Sequence, residues 1–152
     1  MKMAYEHIPP SEYENIMEKM PVCCVDIVIK KLDRFLLVLR ENEPLKGEWW
    51  IPGGRIHKNE KSEDAARRTV KEECNINIKI EKKIGFYDVF SDKGIFDNLK
   101  TGVHTVSVVF LASVDGEEGI ALDKQSSKFR WMTKEEMSDN IGKTLSELRV
   151  FG

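Results

Sequence analysis

The sequence predicts a single domain of the α/β class, in which a mixed β-sheet is covered by α-helices. Its 152 residues, 41% of them hydrophobic, fit one globular domain with one core. Residues 62–74 contain neither Gly nor Pro and follow the pattern of one amphipathic helix. Runs of β-branched and aliphatic residues lie on both sides of this helix, and that order favours a mixed sheet.

The composition argues against several classes of protein. The 24 basic and 26 acidic residues give a net charge of −2, which disfavours a protein that binds nucleic acid through its phosphates. The first 22 residues lack the apolar stretch of a signal peptide, and the apolar run 22–29 is interrupted by Asp26. We therefore expect a cytoplasmic protein without a membrane span. The three cysteines lack metal-site spacing and are expected to be reduced.

The first half of the chain is predicted to contain one helix and a β-hairpin. Ser11 and Glu14 have the spacing of a capping box, so a helix is expected to begin there and to end before Pro21. Two apolar runs separated by a short polar segment indicate the hairpin. The predicted bounds are 12–20 for the helix, 22–29 and 35–40 for the strands, and 41–50 for the loop that follows.

The second half is predicted to supply the central helix, more strands and a closing helix. Within 62–74, one arc of the helix carries Ala65, Ala66, Thr69, Val70 and Glu73. Thr133 and Glu136 have the spacing of a second capping box, which predicts another helix start. Strands are predicted at 76–80, 84–90, 103–114 and 128–132, a polar loop at 91–102, and a last helical turn at 145–150.

A glycine pair before the helix and an acid pair at its end form the pattern that indicates chemistry. Gly53 and Gly54 let the backbone approach a ligand closely, and their carbonyl groups can face a cation. Glu72 and Glu73 are about 100° apart on the helix, which allows both carboxylates to flank one divalent ion. Arg68 lies one turn before Glu72 and is expected to pair with it.

The segment 54–76 resembles the signature of Nudix hydrolases, G-x5-E-x7-R-E-U-x-E-E-x-G-U, where U is aliphatic. The matching residues are Gly54, Glu60, Arg68, Val70, Glu72, Glu73 and Ile76. Thr69 stands where the family usually has a metal-binding Glu, and Asn75 replaces the Gly that follows the helix. Asn tolerates the left-handed conformation that a helix end often needs. The resemblance implies one Nudix domain over 1–152, with a mixed sheet sandwiched between α-helices.

A wider match, formed by Asp26 and the segments 40–50, 52–55 and 129–131, resembles the GDP-mannose mannosyl hydrolases. That branch also lacks the Glu after the motif Arg. The resemblance implies Mg²⁺-dependent hydrolysis, with Mn²⁺ as the other candidate ion, of GDP-mannose to GDP and mannose by a homodimer. It implies metal ligands among Gly53, Gly54, Glu72 and Glu73. We predict catalytic roles for Glu72, Glu73, Arg55, Arg68 and His104, and substrate contacts from Asp26, Arg40, Trp50, Arg55 and Tyr87.

The general base is left open by the sequence. The branch is expected to carry a histidine five residues before the Trp of its F/Y-R-W segment, where this chain has Ser126. The candidates that the sequence offers are His104, Asp88, Asp92, Asp97 and Glu72. Two other functions also stay open: a Nudix pyrophosphohydrolase that cleaves a nucleotide sugar, ADP-ribose or a (d)NTP at phosphorus, and a non-catalytic nucleotide-binding regulator.

Overall fold

The computed structural model of the chain describes residues 7–43, 45–94, 96, 99–114 and 128–151. The helices of this described part are α1 (Pro10–Lys19), α2 (Ser62–Cys74), a short 3-10 helix (Lys134–Glu136) and α3 (Asp139–Glu147). The strands are β1 (Val22–Lys31), β2 (Arg34–Leu39), β3 (Trp49–Trp50), β4 (Gly53–Arg55), β5 (Ile78–Ser91), β6 (Val103–Val114) and β7 (Phe129–Thr133).

One mixed sheet organises the domain. Its central path is β3-β2-β1-β6-β5, while β4 also pairs with β1 and β7 also pairs with β2. The β1–β6 pair is parallel and the other pairs are antiparallel. The predicted mixed sheet covered by helices is therefore confirmed.

The two faces of β1 serve two cores because successive side chains of a strand point in opposite directions. Val25 and Ile27 pack with the buried face of α2, including Ala66 and Val70. Val28 packs on the other face, in a cluster that contains Ile141 and Leu145 of α3. The sheet thus lies between α2 and α3, and this arrangement fixes where the end of α2 meets the sheet.

Three details of the predicted elements are corrected. Helix α1 begins at Pro10, and no side chain caps it, because Pro is well suited to the first helical turn. The strands predicted at 76–80 and 84–90 are one strand, since two irregularities of register between Ile80 and Gly85 let the pairing with β6 continue. The second capping box produces only the three-residue 3-10 helix, and the closing helix starts at Asp139.

The three cysteines are free, as predicted. In the described part of the chain, no helix is long and apolar enough to cross a membrane.

Glu18 links helix α1 to the segment before β6 through hydrogen bonds. The Glu18 carboxylate accepts hydrogen bonds from Lys100 N at 2.9 Å, Thr101 N at 2.6 Å and Thr101 Oγ1 at 2.6 Å. Thr101 Oγ1 also lies 2.8 Å from the Glu18 carbonyl oxygen, so its single hydrogen can be donated to either acceptor. These bonds, led by that of the Thr101 side chain, lower the pKa of Glu18 below its ordinary 4.5. The contact therefore favours the charged form.

We predict that Glu18→Gln lowers the melting temperature at neutral pH and that the difference from wild type shrinks in acid. A carboxylate whose pKa is lower in the folded state stabilises the fold above its unfolded pKa, and that stabilisation disappears as pH falls through the folded pKa. Melting curves at pH 7, 5 and 4 measure this, with Glu14→Gln on the same helix as control. A difference that grew below pH 4.5 would contradict the assignment of the Glu18 pKa.

Candidate active site

Pairing between β1 and β4 places the glycine pair at the centre of the domain. Asp26 lies opposite Gly53, and Val25 lies opposite Gly54. A Cβ at position 53 would collide with the Asp26 carboxylate and lie 2.8 Å from Val25 O, and one at position 54 would lie 3.0 Å from Thr69 Oγ1. Both positions therefore require glycine for close packing.

We predict that Gly53→Ala destabilises the protein by about 2 kcal/mol, since an added methyl group must displace a strand carbonyl and a buried carboxylate. Chemical denaturation measures the change. Gly142→Ala is the matched control because nothing lies within 4 Å of its added Cβ, and Ala is favoured over Gly inside helix α3 by about 0.5–1 kcal/mol. Equal stability of Gly53→Ala and wild type would show that this close approach is not constrained.

Arg68 connects α2 to the two segments that precede it. Its guanidinium forms a forked ion pair with Glu60, with Nε–Oε2 at 2.8 Å and Nη2–Oε1 at 3.0 Å. The same group donates to the Arg55 carbonyl at 2.9 Å and to Glu72 Oε2 at 3.3 Å. The hydrogen bonds to Arg68 are the main cause that lowers the pKa of Glu60. The predicted Arg68–Glu72 pair is confirmed, and Glu60 is the stronger partner.

The end of α2 borders a cavity of about 470 Å³. Its walls are Val38, Leu39, Arg40, Glu41, Asn42, Gly53, Glu72, Glu73 and Lys128. Arg40 and Lys128 bring positive charge to the same space as the carboxylates of Glu72 and Glu73. The structure therefore brings together four of the residues singled out in the sequence: Arg40, Gly53, Glu72 and Glu73.

Glu73 meets solvent in this cavity instead of facing the core as the helical arc suggested. Partial desolvation by the surrounding protein is the main cause that raises the pKa of Glu73 to about 7, and the negative charges of Asp26 and Glu72 act in the same direction. A hydrogen bond from Gly53 N and the positive charge of Arg40 oppose this rise. The charged form of Glu73 is therefore disfavoured unless a cation lies nearby.

The residues of the cavity fit a magnesium-type ion only in part. Two carboxylates and a Gly53 carbonyl are hard oxygen donors of the kind that Mg²⁺ and Mn²⁺ prefer. Among the residues that the structure describes, no group of three or more His, Cys, Asp or Glu side chains is placed to hold a metal ion. An ion here would therefore need oxygen atoms from the substrate as well as from the protein.

Thr69 occupies the position at which the family signature has a third acid. Its side chain is buried against Gly54, and within the described residues its hydroxyl has no hydrogen-bond partner. The helix and β4 pack closely at the place where the family signature has a metal ligand.

A hydrogen-bonded network lies on the sheet beside Gly53. Asp26 is 9% exposed and accepts hydrogen bonds from the Tyr87 hydroxyl and from Ser107. Trp50 in turn forms a side-chain hydrogen bond with Tyr87. Burial raises the pKa of Asp26, and the two hydrogen bonds oppose it. Three predicted substrate contacts, Asp26, Trp50 and Tyr87, therefore form one network.

Other predicted residues lie away from the cavity. Trp50 is the inward-facing tryptophan, at 8% exposure, whereas the Trp49 ring lies 4.8 Å from the Arg130 guanidinium. His104 bonds Asp88 at 3.0 Å and stacks on Phe90. It borders a different cavity, with Met17 and Thr101. Gly54 packs on Thr69 and is absent from the walls of the Glu73 cavity.

The structure also adds residues that the sequence interpretation missed. Ser107 interrupts the apolar run of β6, and this interruption was the available signal for a polar contact across the sheet. Lys128 borders the cavity only because β7 pairs with β2, which no local pattern predicts. Ser126 and Asp97 lie outside the described residues.

Comparison with known proteins gives a consistent family assignment. The model of the NUDIX domain matches residues 19–149. The chain is 34% identical over 123 residues to "Low-salt glycan biosynthesis protein Agl8" of Haloferax volcanii, a match that covers 81% of this chain and 78% of that protein. It is 35% identical over 98 residues to the "ADP-ribose pyrophosphatase" of Methanocaldococcus jannaschii, covering 64% of this chain and 54% of that one.

Solved structures show the same fold. The MutT NUDIX hydrolase from Burkholderia pseudomallei superposes with a TM-score of 0.61 at 22% identity, over 84% of this chain and 98% of that chain. An Ap4A hydrolase from C. elegans gives a TM-score of 0.61 at 23% identity, over 87% and 98%. At these identities the structures support the fold alone.

Proposed function

The chain belongs to the Nudix hydrolase family, and on that premise we propose that it hydrolyses a nucleoside-diphosphate sugar to a nucleoside diphosphate and a free sugar. GDP-mannose is the specific candidate because of the resemblance in Asp26 and the segments 40–50, 52–55 and 129–131. The proposal extends to Mg²⁺ or Mn²⁺ as the ion. Homodimerisation and a cytoplasmic location stay predictions of the sequence.

The observation that carries this proposal is the charge pattern of one cavity. Glu72 and Glu73 border the same space as Arg40 and Lys128. A diphosphate that carries a divalent ion has the complementary pattern, because the ion matches the acids and the phosphate oxygens match the bases. Arg55 is not among the walls of this cavity; its positive charge and that of Arg40 both act on the thiol of Cys24, which pairs with Arg55 across β1 and β4, and Arg55 is proposed to meet the diphosphate from that side.

The loss of the third acid favours cleavage at the sugar carbon. In that reaction a water oxygen bonds to the anomeric carbon, the bond from that carbon to the β-phosphate oxygen breaks, and its electron pair stays on the diphosphate. The main requirement is charge stabilisation of a leaving diphosphate. Bound there, a divalent ion would supply Lewis-acid neutralisation of those oxygens.

The protein's own residues have three tasks in this proposal. Glu72 and Glu73 would hold the ion together with the Gly53 carbonyl. Arg40 would bind the oxygens on which negative charge develops, because a planar guanidinium matches phosphate geometry. Arg68 fixes Glu72 and the backbone at Arg55 and therefore positions two parts of the site. A proton must leave the attacking water, and Glu72, whose side chain is 63% exposed beside the cavity, is the carboxylate proposed to accept it.

A pyrophosphohydrolase is the second candidate. It is favoured by the same exposed Glu72, which can take a proton from a water that attacks phosphorus, and by the similarity to the ADP-ribose pyrophosphatase of Methanocaldococcus jannaschii. In this reaction the diphosphate bond breaks and each product keeps one phosphate. A non-catalytic nucleotide-binding regulator, the third possibility, has no observation in its favour beyond Thr69.

Product analysis separates these functions. The chain is incubated with GDP-mannose, and in parallel with ADP-ribose, with Mg²⁺, with Mn²⁺ and with a chelator, and the products are identified by ion-exchange chromatography and ³¹P NMR. We expect GDP and mannose with either metal. GMP and mannose 1-phosphate would overturn the proposed bond cleavage and establish the second candidate. Ligand binding without any turnover would support the regulator.

A further inference from the structure

The Arg55 guanidinium is covered by an aromatic ring from a distant part of the chain. Arg55 is opposite Cys24 in the β1–β4 pair, on the same side of β4 as Gly53, whose missing side chain would meet Asp26. The centre of the guanidinium lies 5.3 Å from the centroid of the Tyr13 ring in α1. This distance is within the range of a cation–π interaction. Tyr13 therefore restricts where the Arg55 charge can lie.

Tyr13 is itself held on two sides. Its ring meets that of Phe96 edge to face, with centroids 5.9 Å apart and planes at 70°. It also packs against the small core of Met17, Val22 and Val103, which joins α1 to the first residues of strands β1 and β6. An aromatic ring that is packed in this way offers a fixed surface to the guanidinium, so less side-chain entropy is lost when Arg55 meets a ligand.

The position of α1 is set by the Glu18–Thr101 contact. Glu18 lies five residues after Tyr13, and the hydrogen bonds that it accepts from Lys100 N, Thr101 N and the Thr101 hydroxyl fix the end of the helix. The helix is thus attached at Tyr13 and at Glu18 to the segment between β5 and β6. This explains how an element that precedes the sheet in sequence can control a side chain of β4.

We propose that Tyr13 is a positioning residue for Arg55 and that it holds the guanidinium in the orientation in which it meets the diphosphate of the substrate. The inference rests on the proposed function, because that function gives Arg55 its ligand. It adds a residue outside the family signature to the substrate site. It also gives α1 a role in binding, through a ring that does not itself need to touch the substrate.

The test is a double-mutant cycle of Tyr13 and Arg55, read by calorimetric affinity for GDP with Mg²⁺ and by kcat and KM for GDP-mannose. Tyr13→Leu is expected to weaken GDP affinity about 2- to 10-fold and to raise KM by a similar factor, with a smaller change in kcat. Tyr13→Phe keeps the ring and should restore the wild-type values. In an Arg55→Leu background, Tyr13→Leu should cause no further loss.

Met17→Ala is the control for a merely structural role, because Met17 is buried in the same small core and has no aromatic ring to offer the guanidinium. It should lower thermal stability and leave GDP affinity within about 2-fold of wild type. Three results would each overturn the inference. The first is that Tyr13→Leu lowers GDP affinity equally in the wild-type and Arg55→Leu backgrounds. The others are that Met17→Ala lowers GDP affinity as much as Tyr13→Leu does, or that Arg55→Leu leaves GDP affinity unchanged. None of these results would contradict the proposed function. That function fails instead if the wild-type protein binds GDP but releases GMP from GDP-mannose.

Discussion

Replacing Glu73 with Gln is expected to lower kcat/KM about 100-fold or more and to weaken Mn²⁺ binding in the presence of GDP. Two unit charges 4 Å apart at an effective dielectric constant near 20 interact by roughly 4 kcal/mol. Glu72, the backbone and the diphosphate retain part of the ion's coordination, so about 3 kcal/mol, or two powers of ten, is a reasonable loss. Gln has nearly the same shape as Glu and isolates the effect of charge.

The matched control for Glu73→Gln is Glu63→Gln. Glu63 lies in the first turn of the same helix, where it forms an exposed pair with Arg67 at 3.7 Å. We expect wild-type kinetics and Mn²⁺ affinity from this variant. Mn²⁺ affinity is read by electron paramagnetic resonance, which does not depend on turnover. Unchanged Mn²⁺ binding by Glu73→Gln would remove Glu73 from the proposed cation site.

Replacing Arg68 with Lys is expected to lower kcat/KM about 10- to 100-fold, the range found when residues that orient metal ligands are changed. Lys keeps the charge and loses the fork that holds Glu60 at 2.8 and 3.0 Å while the same group bonds the Arg55 carbonyl at 2.9 Å. These contacts are mostly shielded from solvent, so the variant should also lose about 1–3 kcal/mol of stability.

Arg67→Lys is the matched control for Arg68→Lys, since the neighbouring Arg67 makes only exposed pairs, with Glu63 at 3.7 Å and Asp64 at 3.3 Å. Its stability should stay within about 0.5 kcal/mol of wild type. Glu60→Gln should reproduce the Arg68→Lys defect from the other side of the pair. If Arg68→Lys and Arg67→Lys behaved alike in denaturation and kinetics, the fork would have no structural role.

Local patterns predicted the parts of the fold that local physics decides. The helix at 62–74 has the bounds that its apolar period indicated, because no Gly or Pro interrupts it and its small residues fit against the sheet. The Arg68–Glu72 pair followed from helical spacing alone. The Ser11–Glu14 capping box failed because the prolines before it start the helix at Pro10, two residues earlier than the predicted bound of 12.

Contacts between distant segments were beyond such patterns. The ion pair of Arg68 with Glu60 spans eight residues and depends on the turn between β4 and α2. Neighbouring residues of a strand face opposite sides, but the sequence does not show which of Trp49 and Trp50 faces inward; the pairing of β3 with β2 decided it. The position of His104 beside Asp88 and Phe90 follows from the β5–β6 register, which no segment of the chain encodes by itself.

The sequence by itself determined the family, the central helix and the pair of acids at its end, since these depend on residues that are neighbours along the chain. Only the tertiary structure decided which groups meet across the chain. It places Arg40, which follows β2, and Lys128, which precedes β7, on one cavity, and it places the Tyr13 ring over Arg55. The physical reason is that strand order and register place these groups, and both arise from the packing of the whole core on the two faces of the sheet.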